Sequence, residues 1–318
     1  FNPSDIFKLN EDMLNYIKVD LARQRRTEGN ELALYNALYD KKGMRITYDA
    51  RRTKTAIETF NDRTGNCLSL VIMTAAFAKA MDFPVTYQEV HMDEQTTNID
   101  DLYFASRHVN VVIGKKWAAR VRDNTNEPLL KIDFLSPSEI SGQVATSLRE
   151  NTIIAMYLNN RAAEILAEKK HSQAYWWLRQ AIQFDPSYSP AYNTLGIIYW
   201  QKGFYQYAKP AFEAALALEP DNLNVMSNLA QIYLLNGEFE RGEKLVAYVK
   251  ENRPAPYLYY FRLGKAEMNS ANYPEAKTLF TKELKREPEH HEVHFWLALA
   301  HYRLNEFSEA KVHLSKAQ

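Results

Sequence analysis

The sequence holds one cysteine, Cys67, in 318 residues, which excludes an intrachain disulfide and any zinc site built on several thiolates. Charge of either sign is not in excess: Lys plus Arg and Asp plus Glu number 39 each. No net field therefore draws the chain to nucleic acid or to an anionic bilayer, and neither is expected as a partner. No apolar run reaches the roughly 20 residues of a membrane-spanning helix; the best candidate, Leu68 to Met81, is short and contains Lys79. Glycine is sparse, at 10 residues, and no long low-complexity tract occurs, so a disordered or fibrous chain is excluded. No cofactor is expected. What remains is a folded protein, long enough for two cores by the soft prior of about 100–200 residues per domain. Since the chain starts at Phe1, a targeting signal would lie upstream. A removed signal would point to a bacterial cell envelope or periplasm; otherwise the compartment is open.

What the sequence does contain is a period. Prolines recur at Pro186, Pro220, Pro254 and Pro288, each 34 residues after the last. Small residues keep phase at Ala162, Gly196, Ala230, Gly264 and Ala298, and again at Ala174, Ala208, Gly242, Ala276 and Ala310. Bulky apolar residues follow at Leu178, Phe212, Val246, Phe280 and Leu314, with Tyr199 and Tyr233 at a shared position. This pattern resembles the tetratricopeptide repeat. The resemblance implies five repeats, at 155–188, 189–222, 223–256, 257–290 and 291–318, forming an all-α solenoid domain over 155–318. Each helix pair leaves a face unburied until its neighbour stacks on it, and the stack makes a concave groove. The family's geometry places Asn159, Asn193, Trp200, Gln231, Phe261, Met268, Phe295 and Tyr302 on that inner face, a mixture of aromatic anchors and amides suited to a peptide or protein segment. The competing view is that these aromatics fill space between repeats. The subtype that clamps a C-terminal carboxylate is disfavoured, because Ala163, Ile197 and Gln231 stand where its asparagines fall.

Residues 1–150 have a different texture. Ser4 is a candidate N-cap for a helix through Ile17, and a second helix is expected over Glu31 to Tyr39. Strand-like runs follow at Val85 to Val90, His108 to Ile113 and Leu130 to Phe134, separated by the turn residues Gly114, Asn124 and Asn126. Helices followed by an antiparallel sheet make an α+β domain. The acidic segment Met92 to Leu102, with Asp93, Glu94, Asp100 and Asp101, reads as a solvated loop, or functionally as a lid. No flexible linker occupies Arg149 to Tyr157, so the two domains are expected to dock rigidly.

Between helices and sheet lies Thr55-Ala-Ile-Glu-Thr-Phe-Asn-Asp-Arg-Thr-Gly-Asn-Cys-Leu-Ser, running into the apolar Leu70 to Met81. Gly65 permits a sharp turn, which puts Cys67 at a helix N-terminus. Free backbone N–H groups and the positive end of the dipole favour a nucleophilic thiolate there and can hold an oxyanion. This Gly-Asn-Cys turn, with His108 in Arg-His-Val-Asn-Val-Val and Asp133 in Lys-Ile-Asp-Phe, resembles the transglutaminase-like branch of papain-fold cysteine enzymes. The resemblance covers about residues 45–136 and implies a catalytic triad of Cys67, His108 and Asp133 acting on a peptide or protein amide. Hydrolysis is the expected outcome, with transamidation open. Two departures stand out: Asn66 where the family commonly has an aspartate, and Asn110 where it has an aromatic.

Rival readings remain. Cys67 could be a small buried hydrophobe, or a redox sensor, although no second cysteine would resolve a sulfenic acid. Asp123 competes with Asp133 from a turn. His290, His291 and His294 read as solvated surface, and a zinc site there would need a further ligand. A rival from another class is a protein-interaction scaffold whose N-terminal domain is inert.

Overall fold

The computed structural model describes residues 2–21, 34, 36, 44, 46–99, 102–114, 130–134, 143–253 and 258–317, with the backbone alone for 4, 91–99 and 102–106. The expected helix over Glu31 to Tyr39 lies outside the described residues, apart from helical Leu34 and Asn36. Asp100, Asp101, Asp123, Asn124, Asn126 and Pro254 lie outside them as well. The chain divides into two compact units, Phe1–Lys250 and Glu251–Gln318.

The first unit opens with a 3-10 turn at Pro3–Phe7, the short helix α1 (Glu11–Tyr16) and a π turn at Ile17–Leu21. The continuous helix expected from Ser4 is thus broken. Asn10 is the effective cap, its side chain accepting from the Met13 N–H at 2.9 Å, and a cap inside the run restarts the helix. Next come β1 (Thr47–Tyr48), α2 (Ala56–Asp62), β2 (Thr64–Gly65), α3 (Cys67–Ala80), β3 (Val85–Ile99), β4 (Leu102–Ile113), β5 (Leu130–Ile132) and β6 (Ala145–Leu148). β1 and β2 pair in parallel, and the remaining strands form an antiparallel sheet in the order β5-β4-β3-β6.

The described part of the acidic segment is strand backbone rather than loop. Its backbone continues β3 and β4 into a hairpin, resuming at Gln95↔Ser106 and closing at Ile99↔Leu102 after an irregularity beyond Val90. Cross-strand pairing overrides a low local strand preference.

Helix α3 is buried from Leu68 through Ala78, as expected of a helix that is apolar all round. Its core neighbours include Phe60, Val109, Val111 and Ile132, and Phe60 meets Phe77 edge-on at 5.8 Å. The same cluster continues into Ile153, Ile154 and Leu158 of α4 (Glu150–Ala167). One core therefore runs from the sheet layer into the helices that follow it.

Those helices come in pairs. In the first unit α4 is followed by α5 (His171–Phe184), α6 (Ser189–Gln201) by α7 (Tyr205–Leu218), and α8 (Leu223–Leu235) by α9 (Phe239–Asn252), which crosses the unit boundary. In the second, α10 (Tyr259–Asn269) precedes α11 (Tyr273–Arg286), and α12 (His291–Arg303) precedes α13 (Phe307–Lys316). Leu178, Phe212 and Phe280 are buried in phase. Val246 and Leu314 are exposed, each on the second helix of the last described pair in its unit.

Candidate functional site

The nucleophile's turn is built by caps. Thr55 and Glu58 form a capping box that starts α2, and Arg63, in the left-handed region at φ 56°, ends it. Asn66 then caps α3: its Oδ1 accepts from the Ser69 N–H at 2.9 Å and from the Ser69 hydroxyl at 2.7 Å, while its Nδ2 donates to Thr53 Oγ1 at 2.9 Å. The departure at Asn66 is therefore a functional cap. Gly65 is required by space, since a Cβ there would come within 2.8 Å of Ser69 Cβ. These contacts leave Cys67, half-buried, as the first residue of α3.

His108 reaches Cys67 from β4. Its Nε2 lies 2.6 Å from Oδ1 of Asp133, just past the end of β5, and the two side chains are 8% and 6% exposed. The Cys67 thiol is also close enough to act on the His108 ring. With Nε2 taken by Asp133, Nδ1 is the ring nitrogen left for the thiol. Burial opposes the charged ring, but hydrogen bonds and charge from Asp133 and Cys67 outweigh it, and His108 is pushed up to about 9. The arrangement holds an imidazolium between two groups able to carry negative charge, with the thiol beside open backbone N–H groups. Tyr48 on β1 is only partly covered, and that partial burial together with the nearby Cys67 raises its phenol.

His108 and Asp133 are thus brought together, with Cys67 close enough to act on the ring. Asn110 was missed as a participant: its Nδ2 donates to Oδ2 of Asp133 at 3.0 Å. The available signal was its place two residues after His108, hence on the same strand face.

The groove candidates are divided. Asn159 and Asn193 are buried, lining a cavity of about 60 Å³ with Asn160, Thr194, Asn222 and Asn224. Trp200 and Gln231 are half-buried, and the Trp200 ring packs edge-on against Tyr205 at 5.5 Å. Within the second unit, Phe261 is not a surface anchor; it is buried against Phe280, and Met268 packs on the same cluster. Phe295 and Tyr302 are 47% and 57% exposed. His294 is likewise no solvated residue: it is buried, 3.0 Å from His313 between ring nitrogens, because its Nε2 meets the Pro288 carbonyl at 2.9 Å. Among the described residues no group of three or more His, Cys, Asp or Glu is placed to hold a metal ion. No described helix is long and apolar enough to cross a membrane.

Family models for the tetratricopeptide repeat match residues 203–262 and 261–310. The C-terminal region is built of tetratricopeptide repeats. The chain is 20% identical over 305 residues to anaphase-promoting complex subunit 3 of Schizosaccharomyces pombe, covering 87% of this chain and 45% of that one. It is 28% identical over 113 residues to small glutamine-rich tetratricopeptide repeat-containing protein 2 of Mycosarcoma maydis, covering 36% of this chain and 31% of that one. It therefore spans less than half the length of either relative. Similar solved structures include YrrB, described as a tetratricopeptide-repeat protein with an unusual peptide-binding site, at 21% identity over 51% of this chain and 84% of that one, TM-score 0.31. MamA from Desulfovibrio magneticus is 19% identical over 53% of this chain and 94% of that one, TM-score 0.31.

Proposed function

We propose that the chain is a protein-interaction module whose sheet layer carries a cysteine acyl-transfer site, with the repeats recruiting a peptide or protein. The observation that carries the catalytic part is the His108–Asp133 pair at 2.6 Å, with the Cys67 thiol near enough to act on the same ring. Their order along the chain, with the cysteine opening a helix, the histidine on a strand and the aspartate just past the end of the next, resembles what the transglutaminase-like family uses. In the reaction the Cys67 thiolate attacks an amide carbonyl, and the N–H groups at the start of α3 receive the oxyanion. As the C–N bond breaks, His108 gives its proton to the departing amine and a thioester remains. Water then adds to the thioester carbonyl, its proton passes to His108, and the carboxylic acid leaves as the Cys67 thiolate is released beside the protonated ring. Asp133 holds the ring orientation throughout. An amine in place of water would give a new amide.

A second reading, a scaffold without catalysis, is favoured by the fact that the family matches lie within 203–310, in the repeats. Alkylation with iodoacetamide at graded pH separates the two. An active site requires rapid reaction of Cys67 below the ordinary thiol pKa of about 8.5, lost in His108→Ala. A slow, ordinary thiol indifferent to His108→Ala would leave the scaffold reading.

A further inference from the structure

We infer that Asn110 is a positioning residue of the Cys67, His108, Asp133 site, an inference that rests on the acyl-transfer reading above. The pairing Val111↔Ile132 carries Asp133 to the position across from Asn110 and diagonal to His108. The carboxylate is divided accordingly: Oδ1 meets His108 Nε2 at 2.6 Å, and Oδ2 accepts from Asn110 Nδ2 at 3.0 Å. A carboxylate tied through one oxygen can swing about its Cβ–Cγ bond. Tied through both, its plane is fixed, and so is the direction from which it accepts the imidazole N–H.

The other end of Asn110 makes the argument stronger. Ionised Asp133 only accepts hydrogen bonds, so the amide must turn its NH2 toward it. Asn110 is fully buried, and the Oδ1 left pointing away has no hydrogen-bond partner among the described residues. An unpaired buried acceptor lowers stability. An apolar side chain would avoid that cost, as Val109 and Val111 do on either side. Stability alone gives no reason for an amide at this position; orientation of Asp133 does.

The test compares Asn110→Val with Asn110→Thr in the full chain, two side chains of nearly equal shape of which threonine alone can donate a hydrogen bond. Three quantities are read: the titration of the His108 ring by NMR, the pH profile of Cys67 alkylation by iodoacetamide, and the thermal midpoint. The valine variant is expected to keep or raise the midpoint, to titrate His108 at least about one unit below wild type, and to alkylate about tenfold more slowly at acidic pH. Threonine should recover part of both losses. Wild-type titration and rate in the valine variant, or identical losses in the two variants, would overturn the inference. Unfolding of the valine variant would do the same, by assigning Asn110 to the stability of the sheet. Failure of the underlying reading shows separately, as alkylation of otherwise wild-type protein that His108→Ala leaves unchanged.

Discussion

Gly196 lies against the ring of Phe212, so closely that a Cβ on the glycine would come within 2.5 Å of Cε1. The relationship repeats in the second unit, where Gly264 would place a Cβ within 2.5 Å of Phe280 Cε1. Close approach of paired helices is what both glycines provide, and each ring fills the space so freed. Gly196→Ala should therefore lower stability by about 1–3 kcal/mol through overpacking, despite alanine's better helix propensity. Urea unfolding checks the sign, and Gly196→Ala/Phe212→Leu should recover part of the loss. A more stable Gly196→Ala would mean that the helices separate at no cost.

The turn inside each helix pair predicts the opposite outcome for a different substitution. Lys169, Gly203, Gly237, Ala271 and Asn305 all have φ between 59° and 77°, and they follow one another at the repeat period. Glycine occupies this left-handed conformation freely, whereas a Cβ costs roughly 1–2 kcal/mol. Lys169→Gly and Ala271→Gly should each raise the thermal midpoint, offset in part by the greater chain entropy of unfolded glycine. A lowered midpoint in both would show that the side chains contribute more than the backbone strain removes.

His108 makes stability depend on pH with a definite sign. Its ordinary value of 6.5 is raised to about 9, burial being outweighed by the hydrogen bonds and charge of Asp133 and Cys67. The folded state thus binds a proton that the unfolded state releases. The resulting stabilisation is complete below about 6.5 and is lost as pH rises through about 9. Wild type should fall toward His108→Gln across that window in chemical denaturation, and curves that stay parallel would refute the linkage. Acyl transfer should decline over the same limb, as the proton needed by the leaving amine is lost.

How much of this was legible in the sequence depends on how each feature is encoded. The repeats were plain because five helix pairs restate the same spacing, including glycines whose partners, Phe212 and Phe280, keep phase with them. Cys67, His108 and Asp133 were singled out together by the resemblance of their Gly-Asn-Cys turn and strand positions to a family pattern, not by any one local signal. Less legible were features decided by tertiary contact. The acidic stretch after Val90 forms a hairpin because two strands face each other, which no window of Asp and Glu announces. Phe261 and His294 are internal because neighbouring helices cover them, although their types suit a surface equally well. Asn110 looked like a departure from a family pattern; only the register of β4 with β5 shows that it faces Asp133.

Arg107 supplies the last prediction, since it stands beside His108 on β4 and reaches into the repeats. Its guanidinium, 17% exposed, donates to both carboxylate oxygens of Glu219 at 2.5 Å and pairs with Glu89 at 3.1 Å. Glu219 follows the last turn of α7 and accepts from Asn222 Nδ2 at 2.9 Å. Removing the cation alone leaves two carboxylates facing each other with little water, a loss typically of about 3–5 kcal/mol when one partner of a buried pair is deleted. Arg107→Met should therefore destabilise strongly, and Arg107→Met/Glu219→Met should cost less than Arg107→Met alone, because the second change removes one of the stranded charges. Sheet and first helix pairs share a core, so circular dichroism and tryptophan fluorescence should report the same urea midpoint for the first unit's loss in each variant. Since the strand that anchors Arg107 also carries His108, alkylation of Cys67 at acidic pH should slow in Arg107→Met under conditions where it is still folded. Unchanged alkylation together with the stability loss would limit Arg107 to holding the sheet against the repeats.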